Sequence, residues 1–240
     1  MYFWRLMTTL DIILPAYNPL PGWEDIVISR FTSLTQRLPA LELHLIIVND
    51  GSTKPINEEI ALEKIKSKIK NFQWISYAGN KGKGYALRNG VAASTSEHII
   101  YTDIDWPYTE ESVLSVIDDL HLNDVVVGIR DSKYYLQLPP GRSRISRLLK
   151  EFNSRFLKLK VTDTQAGLKG FAKNVKSLFL STSINRYLFD LEFIYLVSKS
   201  DTLTIKSVPI SLREGMTFSI MNRKILIGET RNFFKIWLKR

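Results

Sequence analysis

The sequence predicts an α/β fold, a mostly parallel central sheet with helices on both faces, and three observations predict it. Short apolar runs of strand length alternate with segments whose apolar residues fall at helical spacing. Polar clusters rich in Gly, Asn and Asp follow the carboxyl ends of those runs, where ligands bind in parallel sheets. The chain has 240 residues, 45% of them hydrophobic, which suits one large domain with ample core.

In order, Leu10 to Ala16 is a buried strand stopped by Pro15, Pro19, Pro21 and Gly22. Val27, Phe31, Leu34 and Leu38 mark a helix from Glu24 to Leu38. A second strand, Leu43 to Val48, breaks at Asn49-Asp50-Gly51-Ser52-Thr53, and a charged helix from Asn57 to Lys70 leads to a third strand, Phe72 to Tyr77. Gly79 to Gly84 ends that strand, and Tyr85 to Ala93 reads as helix. The fourth strand, His98 to Thr102, runs into Asp103-Ile104-Asp105-Trp106-Pro107. A helix from Glu110 to Leu120 and a strand from Asp124 to Ile129 follow. The second half is less regular: a basic helix from Arg142 to Lys160, a break at residues 163–167, an apolar and basic run, a helix from Phe189 to Ser198, and a last strand from Leu203 to Ile210. The expected division is a catalytic domain over residues 1–215 and a basic amphipathic tail over residues 216–240.

Net charge of +9 points to an anionic partner such as a nucleotide, a lipid phosphate or a membrane surface. The basic residues are scattered and no recognition motif accompanies them, so no nucleic-acid partner is expected. Absence of Cys excludes disulfides and thiolate metal sites. No apolar run approaches the ~20 residues that span a bilayer, and residues 1–7 are too short for a signal peptide. The expected location is therefore cytoplasmic, peripheral at the inner face of a membrane. His44, His98 and His121 form no cluster in the sequence, and structural roles are expected for them.

The polar clusters carry the chemistry. Carboxylates one residue apart at a strand end, Asp103 and Asp105, turn toward one ion or polar ligand and repel each other unless a cation lies between them. Alone such a pair is ordinarily a turn or helix cap; three further clusters on the same rim make a single site the better account. Asp50 is a suitable acceptor for a base N–H, with Gly51 allowing a tight turn beside a flat ring. Lys81, Lys83 and Arg88 bring positive charge beside Gly82 and Gly84. The glycine spacing there matches neither a Walker loop nor a dinucleotide fingerprint.

Leu14-Pro15-Ala16-Tyr17-Asn18, Val48-Asn49-Asp50-Gly51-Ser52-Thr53, the segment from Asn80 to Gly90, and Thr102-Asp103-Ile104-Asp105, in this order, resemble nucleotide-sugar glycosyltransferases of family 2. The residues from Asp163 to Phe171 and Phe189-Asp190-Leu191-Glu192 are similar to the branch containing dolichyl-phosphate mannose and glucose synthases, the polyprenyl-phosphate glycosyltransferases. The resemblance covers residues 10–215. It implies a GT-A fold with a Rossmann-like sheet, and a nucleotide-sugar donor held by Pro15, Tyr17, Asn18, Asp50, Lys81, Lys83, Asp103 and Asp105. It also implies Mg²⁺ or Mn²⁺, with Asp105 as ligand and Asp103 beside it. Gln165 and the Asp190/Glu192 pair are expected to frame the sugar pocket. The chain departs from the commoner Asp-Ala-Asp-Leu-Gln pattern, because Ile104, Trp106 and Pro107 replace its Ala, Leu and Gln. Tyr108 and Thr109 are the nearest polar substitutes for that Gln.

Family 2 transfer inverts the anomeric centre. A hydroxyl acceptor needs a general base, for which Asp163 and Asp190 are the candidates, whereas a lipid phosphate is already an anionic nucleophile and needs positive charge. Arg130, Arg142 and Arg144 are expected to hold that acceptor phosphate, with Asp105, Arg130 and Gln165 as the catalytic set. The expected partners are the nucleotide-sugar, the lipid phosphate, and a membrane surface met by the basic apolar helix and tail or reached through a separate membrane protein. Transfer to a glycan or lipid-linked oligosaccharide is the rival reading, and a non-catalytic nucleotide-binding scaffold the rival of another class.

Overall fold

A computed structural model describes residues 7–53, 58–130, 157–186, 188–215 and 236. Their strands are β1 (Thr9–Ala16), β2 (Glu42–Asn49), β3 (Phe72–Ser76), β4 (His98–Tyr101), β5 (Val125–Arg130), β6 (Lys169–Ala172) and β7 (Ile205–Ile210). The helices are α1 (Trp23–Arg37), α2 (Glu58–Lys68), α3 (Lys83–Ala93), α4 (Glu110–Leu120), a short α5 (Lys176–Leu180) and α6 (Phe189–Lys199).

The described strands form one sheet in the order β3-β2-β1-β4-β6-β5-β7. β1 pairs in parallel with β2 and β4, β2 with β3, and β5 with β7. Only β6 runs against its neighbours β4 and β5. The chain leaves β1 toward β2 on one side and returns to β4 on the other. That switch opens a crevice outside the carboxyl ends of β1 and β4.

Because the strands are covered on both faces, their runs are apolar almost throughout. Leu10, Ile12 and Leu14 of β1 pack with α1, α2 and α4 residues such as Val27, Ile65 and Val113. The alternate Ile13, with Ile46, Val48 and Tyr101, packs against Leu87 of α3, Phe179 of α5 and Phe193 of α6. The expected elements of the first half are present within a few residues of their expected ends. Two were not foreseen. β6 is four residues, two of them Lys169 and Gly170, and β pairing on both sides overrides its weak strand composition. α5 is a single five-residue helix. The basic helix expected over 142–160 cannot reach its expected end, because residues 157–160 are irregular and Lys158 lies at φ 53°. Residues 142–156 and, apart from Ile236, the expected tail lie outside the described residues.

At the opposite end of the sheet from the crevice, Asp11 interrupts the apolar run of β1 and is buried. It accepts hydrogen bonds from the Ser94 hydroxyl, the Thr95 amide at 2.9 Å, and the Ser96 amide and hydroxyl at 3.2 and 2.6 Å. Nδ1 of His44 lies 3.0 Å from it. These contacts pin the connection between α3 and β4 to β1. Burial acts to raise the Asp11 pKa, but the hydroxyl and amide donors outweigh it and hold the carboxyl below its ordinary 3.8. A depressed pKa contributes stability that is present above the unfolded value and lost as pH falls through the folded one. Asp11→Asn should therefore destabilise the protein at pH 7 by about 1–3 kcal/mol, and the difference from the unaltered chain should shrink as pH is lowered from 5 toward 2. Urea unfolding across that range checks it, and a pH-independent difference would refute the role.

Candidate active site

Loops from the carboxyl ends of β1, β2 and β3 are laced together before any ligand is considered. Asn18, at φ 48°, receives the Thr53 amide on its side-chain oxygen at 2.9 Å, and its own amide donates to the Ser52 hydroxyl at 2.9 Å. The Asp50 amide donates to the Ala16 carbonyl, and Asn49 bridges the Ser52 amide and the Ser76 hydroxyl. Gly51, at φ 62°, lies so close to Gly79 that a Cβ would meet its backbone at 2.3–2.5 Å. Only glycine permits that approach.

Asp50 is nearly fully buried and accepts four hydrogen bonds, all from the segment after β3: the Tyr77 hydroxyl at 2.9 Å, the Asn80 side chain at 2.9 Å, and the Lys81 and Gly82 amides at 2.8 Å each. A carboxylate has about four acceptor sites, so this one is saturated. The expectation that Asp50 receives a base N–H is thereby revised: it shapes the loop that carries Lys81 and Lys83. Burial and the Asp50 carboxylate push the Tyr77 hydroxyl pKa well up, which keeps it a donor.

The fourth loop carries the carboxylate pair. β4 ends at Tyr101, and the Trp106 amide closes a turn onto the Asp103 carbonyl at 2.9 Å. Trp106 has φ 49° with its ring buried, an uncommon conformation for a bulky side chain. The Lys83 ammonium donates to an Asp103 carboxylate oxygen. Burial acts to lower the Lys83 pKa, but Asp103, Asp190 and Asp105 outweigh it and hold the ammonium above its ordinary value. Gly167 walls the other side, where a Cβ would meet the Asp103 carboxylate at 2.5 Å. Asp105 is open to solvent on one side. Desolvation within the cleft, and then repulsion from Asp103, raise its pKa. Among the described residues no three His, Asp or Glu side chains converge on one point. A pair of carboxylates with an open side suits a hard divalent ion that takes its remaining oxygens from diphosphate and water. Of the two polar residues nearest the missing Gln, Tyr108 accepts the Gly167 amide on its hydroxyl at 2.7 Å, and Thr109 caps α4.

The remaining expected residues divide between cleft and scaffold. Pro15 is the next-to-last residue of β1, Tyr17 is 46% exposed, and the Lys81 ammonium lies over the Tyr77 and Tyr85 rings at 5.2 and 4.7 Å. Arg88 turns away from phosphate or ribose toward the Thr182 hydroxyl, the Ile184 carbonyl and Asn185. Glu192 does not frame a sugar pocket. It is fully buried and accepts from the Ser183 amide and hydroxyl and the Ile184 amide at 2.7–2.9 Å, gripping the same loop from the other side. That loop in turn receives the Gly84 amide at the start of α3. Asp190 is buried beneath the cleft, 2.7 Å from both the Tyr101 hydroxyl and the Lys169 ammonium. Arg130 does not present its fork to a phosphate: Nε and Nη2 each lie 2.8 Å from Asp163, whose carboxylate also takes the Arg130 amide at 3.0 Å and the Gln165 amide at 3.1 Å. Burial acts to raise the Asp163 pKa, and these donors more than offset it. The Gln165 residue itself is exposed. Arg142 and Arg144 lie outside the described residues.

Sequence reasoning missed Tyr77 as an organiser of the β3 loop and Lys169 as the partner of Asp190. A lysine inside Leu168-Lys169-Gly170-Phe171 was the available signal, since a charge among strand residues must be paired. Lys169 is fully buried, and that burial pulls its pKa down.

The fold is that of the GT-A glycosyltransferases. Glucosyl-3-phosphoglycerate synthase from Mycobacterium tuberculosis, solved with Mn²⁺, UDP and glucosyl-3-phosphoglycerate, superimposes with a TM-score of 0.61 at 19% identity over 98% of this chain and 80% of that one. The same enzyme solved with phosphoglyceric acid gives a TM-score of 0.66 at 18% identity, with the same coverage of both chains. In sequence, the dolichyl-phosphate beta-glucosyltransferase of Dictyostelium discoideum is 27% identical over 203 residues, 79% of this chain and 62% of the relative. The human protein of that name is 29% identical over 202 residues, 78% and 62% of the two chains. The chain thus spans about three-fifths of the length of these relatives. The profile described as glycosyl transferase family 2 matches residues 11–179. With that match covering well over half its length, the chain belongs to glycosyl transferase family 2.

Proposed function

We propose that the chain is an inverting, metal-dependent hexosyltransferase that moves a sugar, most simply glucose, from a nucleotide-sugar to a polyprenyl or dolichyl phosphate. The observation that carries this reading is the chain of contacts that links the β1 loop to the β2 loop, the β2 loop to the β3 loop, and through Lys83 to Asp103 after β4, in a chain of this family. Relatives named dolichyl-phosphate beta-glucosyltransferase support the choice of sugar and acceptor.

Donor cleavage leaves a nucleoside diphosphate with growing negative charge. Asp105, with Asp103 beside it, would hold Mg²⁺ or Mn²⁺, which as a Lewis acid stabilises that charge when bound. Lys83 and Lys81 add fixed positive charge at the same rim. Pro15, Tyr17 and Asn18 border the base and ribose, with the exposed Tyr17 ring available for stacking. Asp50 acts through the loop it organises, and Asp190 through Tyr101 and Lys169. Gln165 lies at the exposed end of the loop that brings Gly167 against Asp103 and would meet the transferred sugar.

A hydroxyl acceptor needs a carboxylate with room for its proton. The two considered for that task are engaged, Asp163 with Arg130 and Asp190 with Lys169. This favours a lipid phosphate, which arrives as an anion and needs no base. Arg130 then contributes by holding Asp163 and the Gln165 loop, while Arg142 and Arg144 are proposed for the phosphate itself. No helix among the described residues is long and apolar enough to cross a membrane, and a lipid acceptor implies contact with a membrane surface, made by the chain itself or through a separate membrane protein.

The test incubates purified protein with UDP- or GDP-sugars and polyprenyl phosphate, with Mn²⁺ or with EDTA. A glycosylated lipid phosphate formed from a UDP-sugar with Mn²⁺ is expected; transfer to a neutral glycan but not to the lipid phosphate overturns the acceptor. Asp105→Asn should lower transfer by about 100-fold or more, equivalent to about 3 kcal/mol of transition-state stabilisation. UDP binding without metal should persist, and undiminished metal-dependent transfer would remove Asp105 as the ligand.

A further inference from the structure

Ser211-Leu212-Arg213-Glu214 follows β7, the edge strand of the sheet, and bridges back to the segment that follows β4 and the carboxylate pair. Arg213 stands 108 residues after Asp105, yet its guanidinium reaches back to the turn. Nη2 donates to the Asp105 carbonyl at 2.8 Å and Nε to the Trp106 carbonyl at 2.7 Å. The Arg213 amide donates to the Pro107 carbonyl at 2.9 Å, so three consecutive carbonyls of the turn are held by one residue. The segment is itself anchored: Leu212 bridges Tyr108, the Thr109 amide donates to the Ser211 carbonyl at 3.0 Å, and the Ser211 amide to the Ser112 hydroxyl at 2.9 Å.

The held backbone is the part that needs holding. Trp106 sits at φ 49°, in a region that bulky side chains avoid and occupy only where surroundings over-determine it. Its buried ring and its amide bond to the Asp103 carbonyl are two constraints, and the fork on the flanking carbonyls is a third. The direction of the Asp105 side chain follows from the peptide planes on either side of its Cα, and Arg213 grips the one between Asp105 and Trp106. A planar fork suits two neighbouring carbonyls in a way that a lysine ammonium does not.

We infer that Arg213 is the positioning residue of the carboxylate pair, holding the backbone of Asp105 and Trp106 so that the Asp105 carboxylate stays beside that of Asp103. It acts through Asp105 and contacts neither sugar nor metal. This inference rests on the proposed metal role of the pair, and its test separates the two.

Mn²⁺ affinity in the presence of UDP is measured by calorimetry for the unaltered protein, for Arg213→Lys, which keeps the charge and the backbone bond, and for Arg213→Gln, which keeps one donor. Both variants should bind Mn²⁺ about tenfold or more weakly, the range found when partners that orient metal ligands are removed. UDP binding in EDTA should be unchanged. Arg213→Lys placed on Asp105→Asn should cause no further loss, because the two act as one unit. Mn²⁺ affinity unchanged in a folded Arg213 variant overturns the inference alone. Metal-free UDP binding that falls in parallel also overturns it, since Arg213 would then contact the nucleotide or support the whole cleft. An unaltered protein that binds no Mn²⁺ with UDP overturns the metal reading and the inference with it.

Discussion

A buried carboxylate at the end of β2, Asp50, receives the Tyr77 hydroxyl, the Asn80 side chain and the Lys81 and Gly82 amides, and through them defines the course of the chain from β3 into α3. Hydrogen bonds to a charged acceptor contribute about 1.5–3 kcal/mol each, and four on one group leave the loop little freedom. The geometry downstream follows from it. α3 begins where that loop ends, Lys83 in its first turn meets Asp103, and Asp103 in turn abuts Gly167. Three strand ends and the loop before β6 are thus linked through a chain of polar contacts that starts at one residue.

The second organising feature is the use of charge inside the protein. Arg130 with Asp163 and Lys169 with Asp190 are ion pairs with little or no solvent contact, and Arg88 and Glu192 hold one loop from opposite sides. Burying an ion is costly, and leaving its partner unpaired costs more. Such pairs persist where they fix a geometry that apolar packing alone leaves loose. Here they flank the cleft, where Asp103, Asp105, Lys81 and Lys83 are charged groups on its rim among the described residues. The division separates charged residues open to the cleft from paired residues that hold its walls.

Sequence patterning was most reliable where one physical rule dominated. The first five strands and four helices were legible because buried strands and amphipathic helices each impose their own apolar spacing. That the polar clusters share one edge was legible because segments that follow buried strands of a parallel sheet all emerge on the same side. β6 escaped because its strand character comes from pairing with β4 and β5, which no local spacing reveals. Asp50, Glu192 and Arg130 were assigned to ligand because their chemistry allows it. The structure assigns them to the protein because other donors and acceptors reach them first.

By itself the sequence determined the α/β class, the edge of the sheet on which the polar clusters lie, and the residue types gathered there. These depend on local spacing and on the order of strands and turns along the chain. Only the tertiary structure decided how Asp103 and Asp105 are presented. They lie at the end of β4, but their surroundings come from Lys83 on α3, Gly167 before β6 and Arg213 after β7. An isolated Asp-x-Asp is ordinarily a turn; this one is distinguished because residues from three distant segments surround it and hold a backbone conformation that the local sequence does not favour.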